Sequence, residues 1–141
     1  MTPVSPTGDF PVTIYHNPKC GTSRNVVAMV EAAGYAPTVV EYLKAGWTRE
    51  QLLDLSARSG VTLRDLMREK GSPAEELGLL KEGVSDDAIL SAMIEHPILV
   101  NRPIVVTLKG AALARPSEKV FPLLERTPES FIKEDGEIVR P

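Results

Sequence analysis

Apolar residues along the chain change period several times, and each change marks an element. Val12–Tyr15 is a short β-type run, and Val26, Met29, Val30 and Ala33 then recur at helical spacing from about Thr22 until Gly34. Thr38–Leu43 is β-branched and short, which predicts a second strand and, with the helix between, a right-handed parallel crossover. The middle of the chain reads as helical. Thr48-Arg49-Glu50-Gln51 has the form of a capping box ahead of Leu52, Leu53 and Leu55, with Gly60 as the break. A shorter helix is predicted from Thr62 to Lys70, followed by turns at Gly71, Pro73, Gly78 and Gly83. Ser85 and two aspartates open a helix with Ile89, Leu90, Met93 and Ile94 on its apolar side, and Pro97 lies past its end. Ile104–Thr107 and Ala111–Ala114 flank Leu108-Lys109-Gly110 as a hairpin, and Ser117–Leu124 reads as a last helix. The segment from Thr127 to Pro141 shows no period and is assigned no element, and residues 1–11 read as a flexible leader.

Setting aside an all-helical insertion at about 46–96 leaves the order βαβ–ββα. This is the topology of a thioredoxin/glutaredoxin-like fold, a mixed four-stranded sheet, so residues 12–141 are expected to form one such domain. In that fold a reactive cysteine opens the first helix, and a proline before the third strand faces it. Cys20 and Pro103 stand in those places, with the isomer of the peptide before Pro103 left open.

Composition narrows the function. Net charge is −3 and no basic face is interleaved with aromatic residues, so no nucleic-acid partner is expected. No run is long enough to span a bilayer, and Met1–Pro11 lacks the basic start and apolar core of a signal peptide. One cysteine cannot form an internal disulfide, which points to a reducing compartment, the cytoplasm. Two histidines and one cysteine give no metal-ligand spacing.

The candidate chemistry lies in His16-Asn17-Pro18-Lys19-Cys20-Gly21-Thr22-Ser23-Arg24, a strand-to-helix turn. Free N–H groups and the positive dipole end of a helix stabilise a thiolate and also bind oxyanions. A free thiol of pKa about 8.5 becomes mostly thiolate near neutral pH only if its pKa falls by about two units, or roughly 2.7 kcal/mol. A helix end supplies about 0.3–1 kcal/mol, up to about 2 when partly buried, so cations or donors must add to it. His16, Ser23 and Arg24 are the local candidates. The alternative for Cys20 is a small buried hydrophobe, and for His16 a residue that merely closes the strand. Arg102, before Pro103, is a candidate for the same pocket or an exposed strand-end charge. Arg68 and Arg115 are uninformative by position alone.

Several runs together resemble the glutaredoxin-dependent arsenate reductases of the ArsC type. They are Ile14–Pro18 with Cys20–Asn25, Glu75–Leu79, His96–Thr107, Arg115–Glu118 and Lys133–Glu137. The resemblance implies a catalytic Cys20 and an oxyanion pocket built by Arg68, Arg102 and Arg115, with His16 helping to lower the cysteine pKa. Gly21, Thr22, Ser23 and Arg24 complete the candidate substrate site. It also implies arsenate as substrate, glutathione as cosubstrate, glutaredoxin as partner and no bound cofactor. Arg64 and Arg68 fall on one face of the predicted helix, so spacing does not choose between them, and the resemblance favours Arg68. The leader is longer and the tail shorter than is usual in the family. Two other functions fit the fold: a redox-responsive regulator resembling Spx that binds RNA polymerase, and a glutathione-dependent thiol transferase. The regulator commonly carries Cys-x-x-Cys, and Ser23 stands at its second cysteine.

Overall fold

A computed structural model describes residues 10–141, which divide into two compact units, one of the chain through Glu41 with Arg102–Pro141, the other Tyr42–Asn101. The first unit contains strand β1 (Thr13–His16), helix α1 (Gly21–Ala32) and strand β2 (Thr38–Glu41), then β3 (Ile104–Thr107) and β4 (Gly110–Leu113). The sheet order is β2-β1-β3-β4. β1 runs parallel to β2, with Ile14 opposite Val39, and antiparallel to β3, with Ile14 opposite Val105; β3 and β4 form the antiparallel hairpin. This is the mixed sheet read from the sequence.

Period-two burial along the first strand sends Val12 and Ile14 to one face, where α1 lays Val26, Met29 and Val30 over them. Val105, Val120, Phe121 and Leu124 complete the same cluster. Met29 is fully buried there. Met29→Ala is expected to cost about 2–5 kcal/mol, since the cavity adds to the lost transfer energy; urea unfolding measures it, and a loss within about 0.5 kcal/mol would place the residue outside the core. The end of α1 is closed from far along the chain. Gly34 takes a positive φ of 95°, and Arg126 Nε donates to Ala33 O at 2.9 Å while its guanidinium lies 4.6 Å from the Tyr35 ring centroid. A cation there complements the carbonyl end of the helix.

The second unit is built from α2 (Tyr42–Ala45), α3 (Arg49–Ser59), α4 (Leu63–Leu66) and α5 (Asp86–Glu95). The insertion is expected at about 46–96, and this unit runs from Tyr42 to Asn101. The capping box at α3 is present in both directions: Gln51 N–H donates to Thr48 Oγ1 at 3.1 Å, and Thr48 N–H to Gln51 Oε1 at 2.9 Å. Ser85 caps α5 by accepting from Ala88 N–H at 3.1 Å.

Five details differ from the sequence reading. The second strand stops at Glu41, because Tyr42 begins α2 and its hydroxyl donates to Val100 O at 2.6 Å. The helix expected over Thr62–Lys70 ends at Leu66: Met67 is extended and bridges Val100, and Arg68 N–H donates to Leu99 O at 2.7 Å. A backbone partner outside the segment overrides its helical period. Arg64 and Arg68 therefore do not share a helix face, and Arg64 instead donates to Leu79 O and Lys81 O. Ser117–Leu123 is a 3-10 helix that contains Pro122. The tail, assigned no element, forms a hairpin of β5 (Phe131–Ile132) and β6 (Ile138–Val139). Phe10, inside the expected leader, is buried and packs on Tyr35; residues 1–9 of that leader lie outside the described residues.

Candidate active site

Cys20 occupies the N-cap of α1, at the turn between β1 and the helix. Asn17 shapes that turn: it is buried, its Oδ1 accepts from Lys19 N–H at 2.9 Å, and its carbonyl accepts from Cys20 N–H at 3.0 Å. The first backbone bond of the helix is Arg24 N–H to Cys20 O at 3.0 Å. The N–H groups of Gly21, Thr22 and Ser23 therefore precede the helical ladder and stand at its positive end.

The unit brings Arg102 and Arg115 to the sulfur from the other side of the sequence. Arg102 leads into β3 through a cis peptide to Pro103, and Arg115 leaves β4 through a cis peptide to Pro116. Arg115 Nη1 donates to Cys20 Sγ at 3.5 Å and to Arg102 O at 2.8 Å. Ser117 Oγ donates to Thr22 O at 3.2 Å, which ties the start of the 3-10 helix to the start of α1. Burial pushes the Cys20 thiol up; the Ser23 N–H, then Arg102 and Arg115, more than offset it and leave the thiol below its ordinary value. The cations beside the helix end are thus two arginines far along the chain, Arg115 by 95 positions.

A depressed thiol pKa has a direct readout. Alkylation of Cys20 by iodoacetamide is expected to be faster at pH 7 than that of a free cysteine, and to fall only as pH drops through the lowered pKa. A profile that matches an ordinary thiol would contradict the site's electrostatics.

His16 meets Ser23 in the structure. Its Nδ1 lies 2.6 Å from Ser23 Oγ, which also accepts from Asn17 N–H at 3.1 Å. Burial lowers the His16 pKa, opposed by Glu41 and aided by Arg24, so the ring is neutral at pH 7. A neutral ring with its proton on Nε2 lets the serine hydroxyl donate to Nδ1. Ser23 is fully buried, and its backbone N–H is the foremost group favouring the thiolate, while its hydroxyl is the atom that His16 meets.

The other candidates are placed as follows. Arg24 is exposed and held by Glu134, with Nε and Nη2 on the two carboxylate oxygens at 2.9 and 3.0 Å and Nη1 on Pro18 O at 2.9 Å. Gly21 sits against that pair: an added Cβ would meet Arg24 Nη2 and Glu134 Oε1 at 3.6 Å, an ordinary contact. Arg68 belongs to the second unit, where its Nη1 donates to Asn101 Oδ1 at 3.1 Å. Sequence reasoning missed Ser117 and Glu134 as partners of the α1 start, although both lie in the runs Arg115–Glu118 and Lys133–Glu137 that carried the resemblance. Among the described residues no group of three His, Cys, Asp or Glu side chains is placed to hold a metal ion, and no helix is long and apolar enough to cross a membrane.

Known proteins share both the sequence and the frame. An arsenate reductase of Synechocystis sp. is 58% identical over 129 residues, which cover 91% of this chain and 92% of that protein. An arsenate reductase of Escherichia coli K12 is 48% identical over the same shares of the two chains. The solved structure of an arsenate reductase from Vibrio cholerae superposes with a TM-score of 0.78 at 43% identity, over 82% of this chain and 98% of that one. The ArsC family profile matches residues 15–121, a stretch that takes in Cys20, Arg102 and Arg115 alike, and the chain belongs to that family.

Proposed function

We propose that this protein reduces arsenate to arsenite, with Cys20 as the nucleophile. The observation that carries the reading is the approach of Arg115 to Cys20 at the mouth of α1, which joins a stabilised thiolate to an anion site. Oxyanion affinity follows from the guanidinium groups of Arg102 and Arg115 and from the leading N–H groups of the helix. The Cys20 thiolate attacks arsenic, and loss of hydroxide or water leaves a cysteinyl–arsenic(V) adduct. Arg102 and Arg115 hold the charge that develops on the oxygens. Arg68 is the third arginine of the family resemblance, and its share is read by Arg68→Ala in the assay below.

The remaining steps use external thiols. Glutathione condenses with the adduct, releasing water and forming a second sulfur–arsenic bond. Attack of a glutaredoxin thiolate on the glutathione sulfur breaks that bond and leaves its electron pair on arsenic, taking arsenic(V) to arsenic(III). Hydrolysis then frees arsenite and Cys20. The chain has no second cysteine to resolve the adduct, so the thiols come from elsewhere. Such a cycle suits a reducing compartment, and the cytoplasm is the proposed location. Ser23, three residues after Cys20, argues against the Cys-x-x-Cys regulator.

The test is a coupled assay with arsenate, glutathione, glutaredoxin and a recycling system that draws on NADPH. NADPH consumption that depends on arsenate and on the protein is expected. No consumption, with Cys20 still readily alkylated, would overturn the reading.

A further inference from the structure

We propose that the Lys133–Glu137 hairpin loop braces the cysteine loop, and that Glu134 is a positioning residue acting on Cys20 through Arg24. The inference rests on the reading of Cys20 as a reactive thiolate. It assigns a purpose to a conspicuous run of charged residues that the proposed reaction leaves unused.

The loop is itself fixed. Lys133 N–H donates to Glu137 O at 2.8 Å, Gly136 N–H to Lys133 O at 2.9 Å, and Glu137 N–H to Asp135 Oδ1 at 2.9 Å. Gly136 takes a positive φ of 94°, which an L side chain rarely adopts. From this loop two contacts run in different directions. Lys133, nearly buried, reaches Glu118 Oε1 at 2.8 Å and Glu137 Oε1 at 3.3 Å, and Glu118 is three residues past Arg115. Glu134 accepts from Nε and Nη2 of Arg24, and its own N–H donates to Asn25 Oδ1 at 3.0 Å. The third arm of Arg24 holds Pro18 O, two residues before Cys20. One short loop therefore ties the segment that carries Arg115 to the segment that carries Cys20.

Solvent exposure of the pair does not make it idle. Arg24 and Glu134 are 45% and 49% exposed, and an exposed ion pair adds little to the stability of a fold. A planar guanidinium engaged at three nitrogens nevertheless fixes direction, which a single point charge would not. What depends on that direction is the placing of the sulfur against the Ser23 N–H and against Arg102 and Arg115, the groups that lower its pKa.

Field and geometry make opposite forecasts, which gives a clean test. Removing the Glu134 carboxylate would, through its field alone, favour the thiolate and lower the pKa of Cys20. Loss of the brace would raise it. The rate of iodoacetamide alkylation is measured against pH in the full chain, without arsenate, for the parent, Glu134→Gln and Arg24→Lys. Thermal unfolding of each protein serves as the control for folding. The midpoint is expected to rise by about half a unit to one unit in both variants, with the unfolding midpoint within about 2 °C of the parent. Arg24→Lys keeps the charge and loses the fork, so a role through charge alone predicts no shift there. An unchanged or lowered midpoint in either folded variant overturns the proposal. Alkylation needs no arsenate, so this result stands apart from success or failure of the reductase assay.

Discussion

Cys20→Ser is expected to abolish arsenate-dependent turnover, with a loss on the order of 10³-fold or more. Two physical reasons make the loss large. A serine hydroxyl carries no appreciable anion near neutral pH, whereas the cysteine sits below its ordinary pKa beside Arg102 and Arg115. An alkyl ester of arsenate, if one formed, would also hydrolyse readily, so no adduct would persist for glutathione to condense with. The substitution is nearly isosteric and Cys20 is only partly buried, so the fold should persist. Turnover by coupled assay and unfolding by urea, run side by side, separate lost chemistry from lost structure. Substantial residual activity in the serine variant would remove the cysteine from the reaction.

The second large effect is expected at the arginines. Arg115→Ala takes away the donor 3.5 Å from the sulfur and also the bond that fixes Arg102 O. Two penalties follow, a thiol returned toward its ordinary pKa and a developing oxyanion short of one guanidinium. A fall in kcat/KM of about 10²–10³-fold is expected for Arg115→Ala, and of about 10²-fold for Arg102→Ala. The two changes should not be additive, because both arginines act on one sulfur and one anion. Lysine at either position should recover part of the loss, keeping the charge without the fork. The alkylation midpoint of Cys20 should rise in both alanine variants; rates within threefold of the parent would rule out the proposed anion site.

Much of this site was legible because it is local or strongly patterned. The turn between β1 and α1, the placing of Cys20 at a helix start and the proline before β3 all follow from short-range signals. Arithmetic on the helix dipole also showed that cations had to be added. The place of Arg102 before Pro103 makes it a candidate, whereas Arg115 arrives through sheet topology rather than through spacing. Long-range backbone partners defeated the pattern elsewhere. Met67 leaves its helix to bridge Val100, so the face predicted for Arg64 and Arg68 does not exist. The closing hairpin has strands of two residues, too short for any period to show, and the Arg24–Glu134 contact spans 110 positions. The hydrogen bond of His16 goes to Ser23, a partner that only the turn geometry reveals.

The central claim is that this thiolate forms the arsenic adduct through which external thiols reduce arsenate. The most direct measurement is the speciation of arsenic after incubation of the protein with arsenate, glutathione and reduced glutaredoxin. Arsenite should accumulate in step with the NADPH consumed and should be absent when Cys20→Ser replaces the parent. Arsenate recovered unchanged by a protein whose Cys20 is still rapidly alkylated, especially one that reduces a glutathione mixed disulfide, would contradict the account and leave a thiol transferase in its place.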